Sequence, residues 1–240
     1  MPKAMRYLPS EKDRLSIFER SGILETNVSL FGKAIMTLLA GTADSGKERG
    51  RPRAFDPELA LDNAMLVFRQ RGFHAASIAD LTTAMNLTAG SLYKAFKDKR
   101  TLFLQVFDRY IALRHAELQS RLAQCANGRA RVAELLRFYL DSAFDFEGRR
   151  GCLVVGSATE LQVLDEELSE RVRQAVMRNK ARLISMLEEG QRDGSVSSAI
   201  HAETAAGLIL CITFGIRVVG KIEDIAEREN TVSLALKMLD

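Results

Sequence analysis

Tryptophan is absent from the 240 residues, proline occurs four times, and aromatic residues make up only 7%. So few helix breakers leave long stretches rich in Ala, Leu, Glu, Arg and Met free to run as helix, and the expected fold class is all-α. Cysteine is scarce too. Cys125, Cys152 and Cys211 are too widely separated for a disulfide framework and lack zinc-ligand spacing, which fits a reducing cytoplasm. His74, His115 and His201 each stand alone, and no phosphate loop, dinucleotide fingerprint or nucleophile elbow occurs. These gaps argue against an enzyme, and no metal or cofactor is expected. Val28–Ala40 is apolar but short of the ~20 residues a membrane helix needs, and Lys33 interrupts it. It also lies too far from the start for a signal peptide. A soluble, cytoplasmic protein with no membrane partner is therefore expected.

Hydrophobic residues form 47% of the chain, enough for a sizeable core. The net charge of +3 is uninformative, but its distribution is not. Lys47, Arg49, Arg51 and Arg53 face a single acid, Glu48, and Lys94, Lys97, Lys99 and Arg100 crowd around Asp98. Basic clusters beside a small helical unit are the footprint of phosphate contacts, although a charge run alone more often marks a solvated face. Three segments are expected. Residues 1–46 are an extension of unknown role ending in the turn-rich stretch 41–46, either a short amphipathic helix or the product of a mis-assigned start, for example upstream of Met36. Residues 47–110 form a small helical domain, and residues 111–240 a larger one.

The punctuation of the small domain is clear. Asp56-Pro57-Glu58 starts a helix with an apolar face at Leu61, Ala64, Met65 and Phe68, and Gly72 ends it in a left-handed conformation. Ser77 caps a shorter helix facing inward with Ile78, Leu81 and Met85. Asn86 tolerates the left-handed turn that follows. Thr88 caps a third helix anchored by Leu92 and Phe96, and Asp98 a fourth with its stripe at Leu102, Phe103, Val106, Phe107 and Tyr110. Two short helices joined by a tight turn, the second polar on its outer face, make a helix-turn-helix whose second helix enters the ~12 Å major groove. Thr88, Ala89, Gly90, Ser91, Tyr93 and Lys94 are left facing outward.

The ordered set Gly50-Arg51-Pro52-Arg53, Ala64, Phe68, Gly72-Phe73, Ser77-Ile78, Leu81, Leu87, Ser91 to Lys99 and Leu102-Phe103 resembles the DNA-binding domain of the TetR/AcrR family of transcriptional regulators. One departure stands out: Asn86 occupies a turn position that often carries Gly. The resemblance implies a three-helix N-terminal DNA-binding domain and a C-terminal helical domain for effector binding and dimerisation. It implies phosphate contacts from Ser77, Tyr93 and Lys99. Groove contacts would come from Thr88, Ala89, Gly90, Ser91 and Lys94, with a basic arm of Arg49, Arg51 and Arg53 reaching backbone or minor groove. Tyr93 as half-buried packing, and Lys94, Lys97 and Lys99 as a solvated face, are the plain alternatives. The implied partners are double-stranded operator DNA, a small-molecule effector, and a second copy joined through the last two helices. Twofold symmetry would place recognition helices about 34–36 Å apart, or further for a longer operator.

Beyond residue 128, helices are expected near 130–144, 157–164, 166–189, 202–220 and 224–239. The 205–219 stretch is apolar almost all round, which predicts burial on most sides. The stripe Ile225, Val232, Leu236 and Leu239 suits dimer packing, or else faces its own domain. Gly151-Cys152-Leu153 resembles a signature of one subgroup of the family, at the start of a helix lining the ligand cavity. Cys152 is thus a candidate sensor of electrophiles, with Leu153, Leu161 and Lys221 as neighbours, or simply a small buried apolar residue. Leu153, Val154, Leu161, Phe138 and Ile212 predict a mainly apolar pocket. The competing classes are an enzyme and a helical interaction module without DNA, and a steep loss of affinity with salt singles out DNA binding.

Overall fold

A computed structural model describes residues 56–240, and every regular element among them is a helix. Arg49, Arg51 and Arg53 lie outside the described residues, as does the 1–46 segment. Helix α1 (Pro57–Ala75) starts at Asp56, whose carboxylate accepts from the amides of Glu58 and Leu59. Its buried face is Ala60, Ala64, Met65, Phe68 and Arg69, with the expected Leu61 only half-buried. Gly72 does interrupt the helix, but at φ 76° and ψ 178°, not in the left-handed helical region. That conformation is open essentially to glycine alone, and the Glu160 carboxylate occupies the space a side chain would need.

Helix α2 (Ile78–Met85) opens with a capping box: Asp80 N–H donates to Ser77 Oγ at 3.0 Å, and Ser77 N–H donates to the Asp80 carboxylate at 3.0 Å. It closes at Asn86 in the left-handed conformation, φ 52° and ψ 47°. Helix α3 (Ala89–Phe96) is capped by Thr88, which accepts from Ser91 N–H at 3.2 Å. Lys97 then takes φ 66° and ψ −59°, while Asp98 N–H donates to the Phe96 carbonyl at 2.7 Å. This is a positive-φ γ-turn, a strained way to join two helices. Asp98 caps α4 (Lys99–Leu122), and its stripe is buried where the sequence placed it. Phe103 packs edge-on against Phe68 and Phe73, each at 5.0 Å between ring centroids. These contacts lock α4 onto α1.

Helix α4 runs on into the second half, where α5 (Gly128–Asp141), α8 (Glu166–Asp193), α9 (Ala202–Val219) and α10 (Arg228–Leu236) close one core around Leu136, Leu183, Leu187, Ala206 and Ile209. A short 3-10 turn ends the chain. Two small helices, α6 (Asp145–Arg150) and α7 (Leu153–Thr159), join α5 to α8. The expected helix at 157–164 therefore starts earlier, because Gly151 at φ 79° breaks the chain just before it. Both α6 and α7 pack against α1.

Two expectations change. Helix α9 is apolar all round and is long and apolar enough to cross a membrane. Yet it is half open: Ala205, Ala206, Ile209, Thr213, Ile216 and Arg217 are buried, whereas Leu208, Cys211, Val218 and Val219 are exposed. The stripe Ile225, Val232, Leu236 and Leu239 packs into its own core. The apolar surface at this end is instead formed by α9 with Ile222 and Leu234.

Candidate DNA-binding unit and effector cleft

Helix α3 is held by two residues only. Leu92 and Phe96 are buried against α2 and α4, and everything else on it from Ala89 to Ala95 is exposed. Thr88, Ala89, Gly90, Ser91 and Lys94 share that open surface. Tyr93 is 48% exposed, so about half of its surface is open to solvent on that side. Ser77 is exposed at the start of α2, with its hydroxyl donating to Asp80 at 2.7 Å. Lys99 is placed differently. Its ammonium donates to the carbonyls of Phe73 at 2.9 Å and Ala76 at 3.0 Å, and sits 4.7 Å from the Phe73 ring centroid. It closes the α1–α2 turn, where helix-end carbonyls need donors and favour a cation.

A small cleft opens between α4, α5, α7, α8 and α9. Cys152 lines it from the cap position of α7. Phe138 and Val154 line it as expected, but Leu153, Leu161, Ile212 and Lys221 do not. Leu153 is buried elsewhere, and the Lys221 side chain lies against Gly151, its Cε 3.0 Å from where a Cβ would stand. The lining is mainly apolar, with Tyr110, Ile111, Leu118, Phe138, Tyr139, Val154 and Phe214, but it also carries charge that the sequence reading did not place there. Arg114, Arg178, Arg182 and Arg217 all line the cleft, along with His115, and among the described residues no Asp or Glu does. The lining comes from five separate elements, so no run of sequence displays it.

The electrostatics follow from that convergence. Tyr110 O–H donates to Cys152 Sγ at 3.4 Å. Burial pushes the Cys152 thiol up, but the Arg217 guanidinium, the Tyr110 hydroxyl and the Val155 amide outweigh it and leave the pKa below the ordinary thiol value. Tyr110 is pushed up to about 12, by burial first and then by charge on Cys152. Burial, then the charge of Arg182, lowers the pKa of His115; burial also lowers that of Arg182, with Arg178 adding to it.

The cleft is wired to the DNA-binding unit through a residue that sequence reading passed over. Arg69 of α1 donates from Nε at 3.0 Å and Nη2 at 2.8 Å to the carbonyl of Gly151, the residue before Cys152. The same Nη2 reaches Glu147 at 2.8 Å. The signal was available: Arg69 lies four residues after Met65, on the inward face of α1, where a charge needs a partner. Arg217 carried the same kind of signal, as the lone charge between Glu203 and Lys221.

Comparison with known proteins agrees with this architecture. The family described as bacterial regulatory proteins, tetR family, matches residues 60–106, and the tetracyclin repressor-like C-terminal domain matches residues 128–232. The HTH-type transcriptional repressor ComR of Escherichia coli (strain K12) is 28% identical over 173 residues, 72% of this chain and 82% of ComR. Among solved structures, the TetR family regulator CifR, a cysteine mutant complexed with 26-base-pair double-strand operator DNA, is 34% identical with a TM-score of 0.62. That likeness covers 79% of this chain and 98% of CifR. A TetR family regulator from Cytophaga hutchinsonii shares the fold at a TM-score of 0.67 and 18% identity, over 79% of this chain and 96% of its own. With its helix-turn-helix, its second helical domain and these relatives in agreement, the chain belongs to the TetR family of bacterial transcriptional regulators.

Proposed function

We propose that the protein is a cytoplasmic repressor that binds operator DNA as a homodimer and is released by a small molecule held in the arginine-lined cleft. The observation that carries this reading is α3: anchored by Leu92 and Phe96 alone, it offers Thr88, Ala89, Gly90, Ser91, Tyr93 and Lys94 as one open surface to a major groove. Ser77 sits beside that surface as a phosphate contact, and Arg51 and Arg53 supply the basic arm. Lys99 acts first by fixing the α1–α2 turn, and a direct phosphate contact requires its ammonium to leave the carbonyls it now holds. The open face of α9, with Leu234 beyond it, serves as the dimer surface. Effector binding shifts the population toward a spacing of recognition helices that does not fit the operator.

The test is binding to the DNA upstream of its own gene, read by fluorescence anisotropy across a salt series. A Tyr93→Ala/Lys94→Ala variant that stays folded and dimeric should lose that binding and flatten the salt slope. Retained binding refutes the assignment. Cys152 supports a second effector class: its lowered pKa and its hydrogen bond from Tyr110 favour a nucleophilic thiolate that adds to an electrophile. Release by electrophiles that persists unchanged in Cys152→Ser removes that class.

A further inference from the structure

The cleft holds more positive charge than the chain neutralises. Four arginines line it with no acidic residue among the lining. Arg114 is accounted for: it pairs with Glu117 at 2.8 Å, lies 4.0 Å from the Phe138 ring centroid and reaches Ser142. Among the described residues Arg182 donates to a neutral group, the Asn179 amide oxygen at 3.2 Å. Arg217 is the telling one. It is 3% exposed, and its Nη1 is buried with no hydrogen-bond partner among the described residues. A buried guanidinium left unsatisfied is costly, and native proteins keep such a group where something else completes it.

We propose that the cleft binds an organic anion, with a carboxylate head on Arg217 and the Arg178–Arg182 pair, and an apolar or aromatic body against Phe138, Phe214 and Ile111. The proposal rests on reading this cleft as the effector site, and names the effector class. Arg178 and Arg182 stand one helical turn apart on α8, Arg217 stands on α9, and all three line the cleft, so a planar head there has donors available from two helices. Guanidinium forks match such oxyanions in geometry as well as charge.

The experiment uses the full chain without DNA and titrates benzoate, 4-phenylbutyrate and octanoate by calorimetry, each against its neutral amide. At least one acid should bind, and its amide should bind about tenfold more weakly or worse, the loss expected for a charge-assisted contact. Arg217→Met should abolish acid binding and raise the melting temperature of the ligand-free protein, since it removes an unsatisfied buried charge. Arg178→Gln, at the exposed rim, should weaken acid binding severalfold without touching the fold. The proposal is overturned by no binding from any acid, by equal binding of acid and amide, or by acid binding that survives Arg217→Met. Because none of these readings involves DNA, they fail independently of the repressor assignment, which the Tyr93→Ala/Lys94→Ala variant tests by itself.

Discussion

Replacing Arg69 by Met should both destabilise the protein and loosen the link between cleft and DNA. The side chain is 2% exposed and holds the Gly151 carbonyl through two nitrogens, besides its contact with Glu147. Met keeps the volume and removes every donor. Gly151 is buried, so its carbonyl loses those donors, at a cost of about 1–3 kcal/mol. Breaking a fully buried ion pair costs about 3–5 kcal/mol, but Glu147 is a third exposed and keeps Arg150 at 2.9 Å, so only a fraction applies. The sum is about 2–4 kcal/mol, against a total stability of about 5–15 kcal/mol for a domain. Urea unfolding at neutral pH measures it, and Arg69→Lys should recover only part, since an ammonium lacks the fork. The coupling readout is operator affinity with and without a cleft ligand: Arg69→Met should shrink the ratio between them, because Gly151 adjoins Cys152 while Arg69 belongs to α1. A loss below about 0.5 kcal/mol, the ordinary range for a surface substitution, would refute the energetic argument. An unchanged ratio would refute the wiring.

Other predictions follow from single features. Burial raises the Glu147 pKa, but Arg69 and Arg150 outweigh it and hold it below the ordinary value of 4.5. Its contribution to stability is therefore fully present above pH about 4.5 and is lost as pH falls through the lower folded value; Glu147→Gln should flatten thermal stability against pH in that acid window, and an unaltered profile rejects the linkage. Lys97→Gly should stabilise by about 1 kcal/mol in urea unfolding, since glycine accepts φ 66° without strain, whereas Lys97→Ala should be nearly neutral. Leu208→Glu with Leu234→Glu alters two side chains that are 52% and 68% exposed in the single chain. Sedimentation should show a folded monomer, and a persistent dimer would move the interface elsewhere.

The helix boundaries of the helix-turn-helix and the exposed surface of α3 were legible without coordinates because they are decided within a few residues of chain. Asp56, Ser77, Thr88 and Asp98 each accept from an amide two or three residues ahead, and Asn86 closes its turn with a left-handed backbone. Leu92 and Phe96 share a face by helical spacing alone. The cleft was not legible in this way. Its arginines stand on α4, α8 and α9, from Arg114 to Arg217, and only packing aims them at one space. Read along the chain, Phe138 and Val154 spoke for the apolar part of the pocket, while the arginines that join them looked like ordinary surface. Lys99 shows the same division at short range: its sequence position marks a basic helix start, but the turn it closes is 23 to 26 residues away. Local hydrogen bonding and periodicity fix which residues form the DNA-reading helix. Which charges meet, and which of them is left buried without a partner, is decided only when distant helices pack.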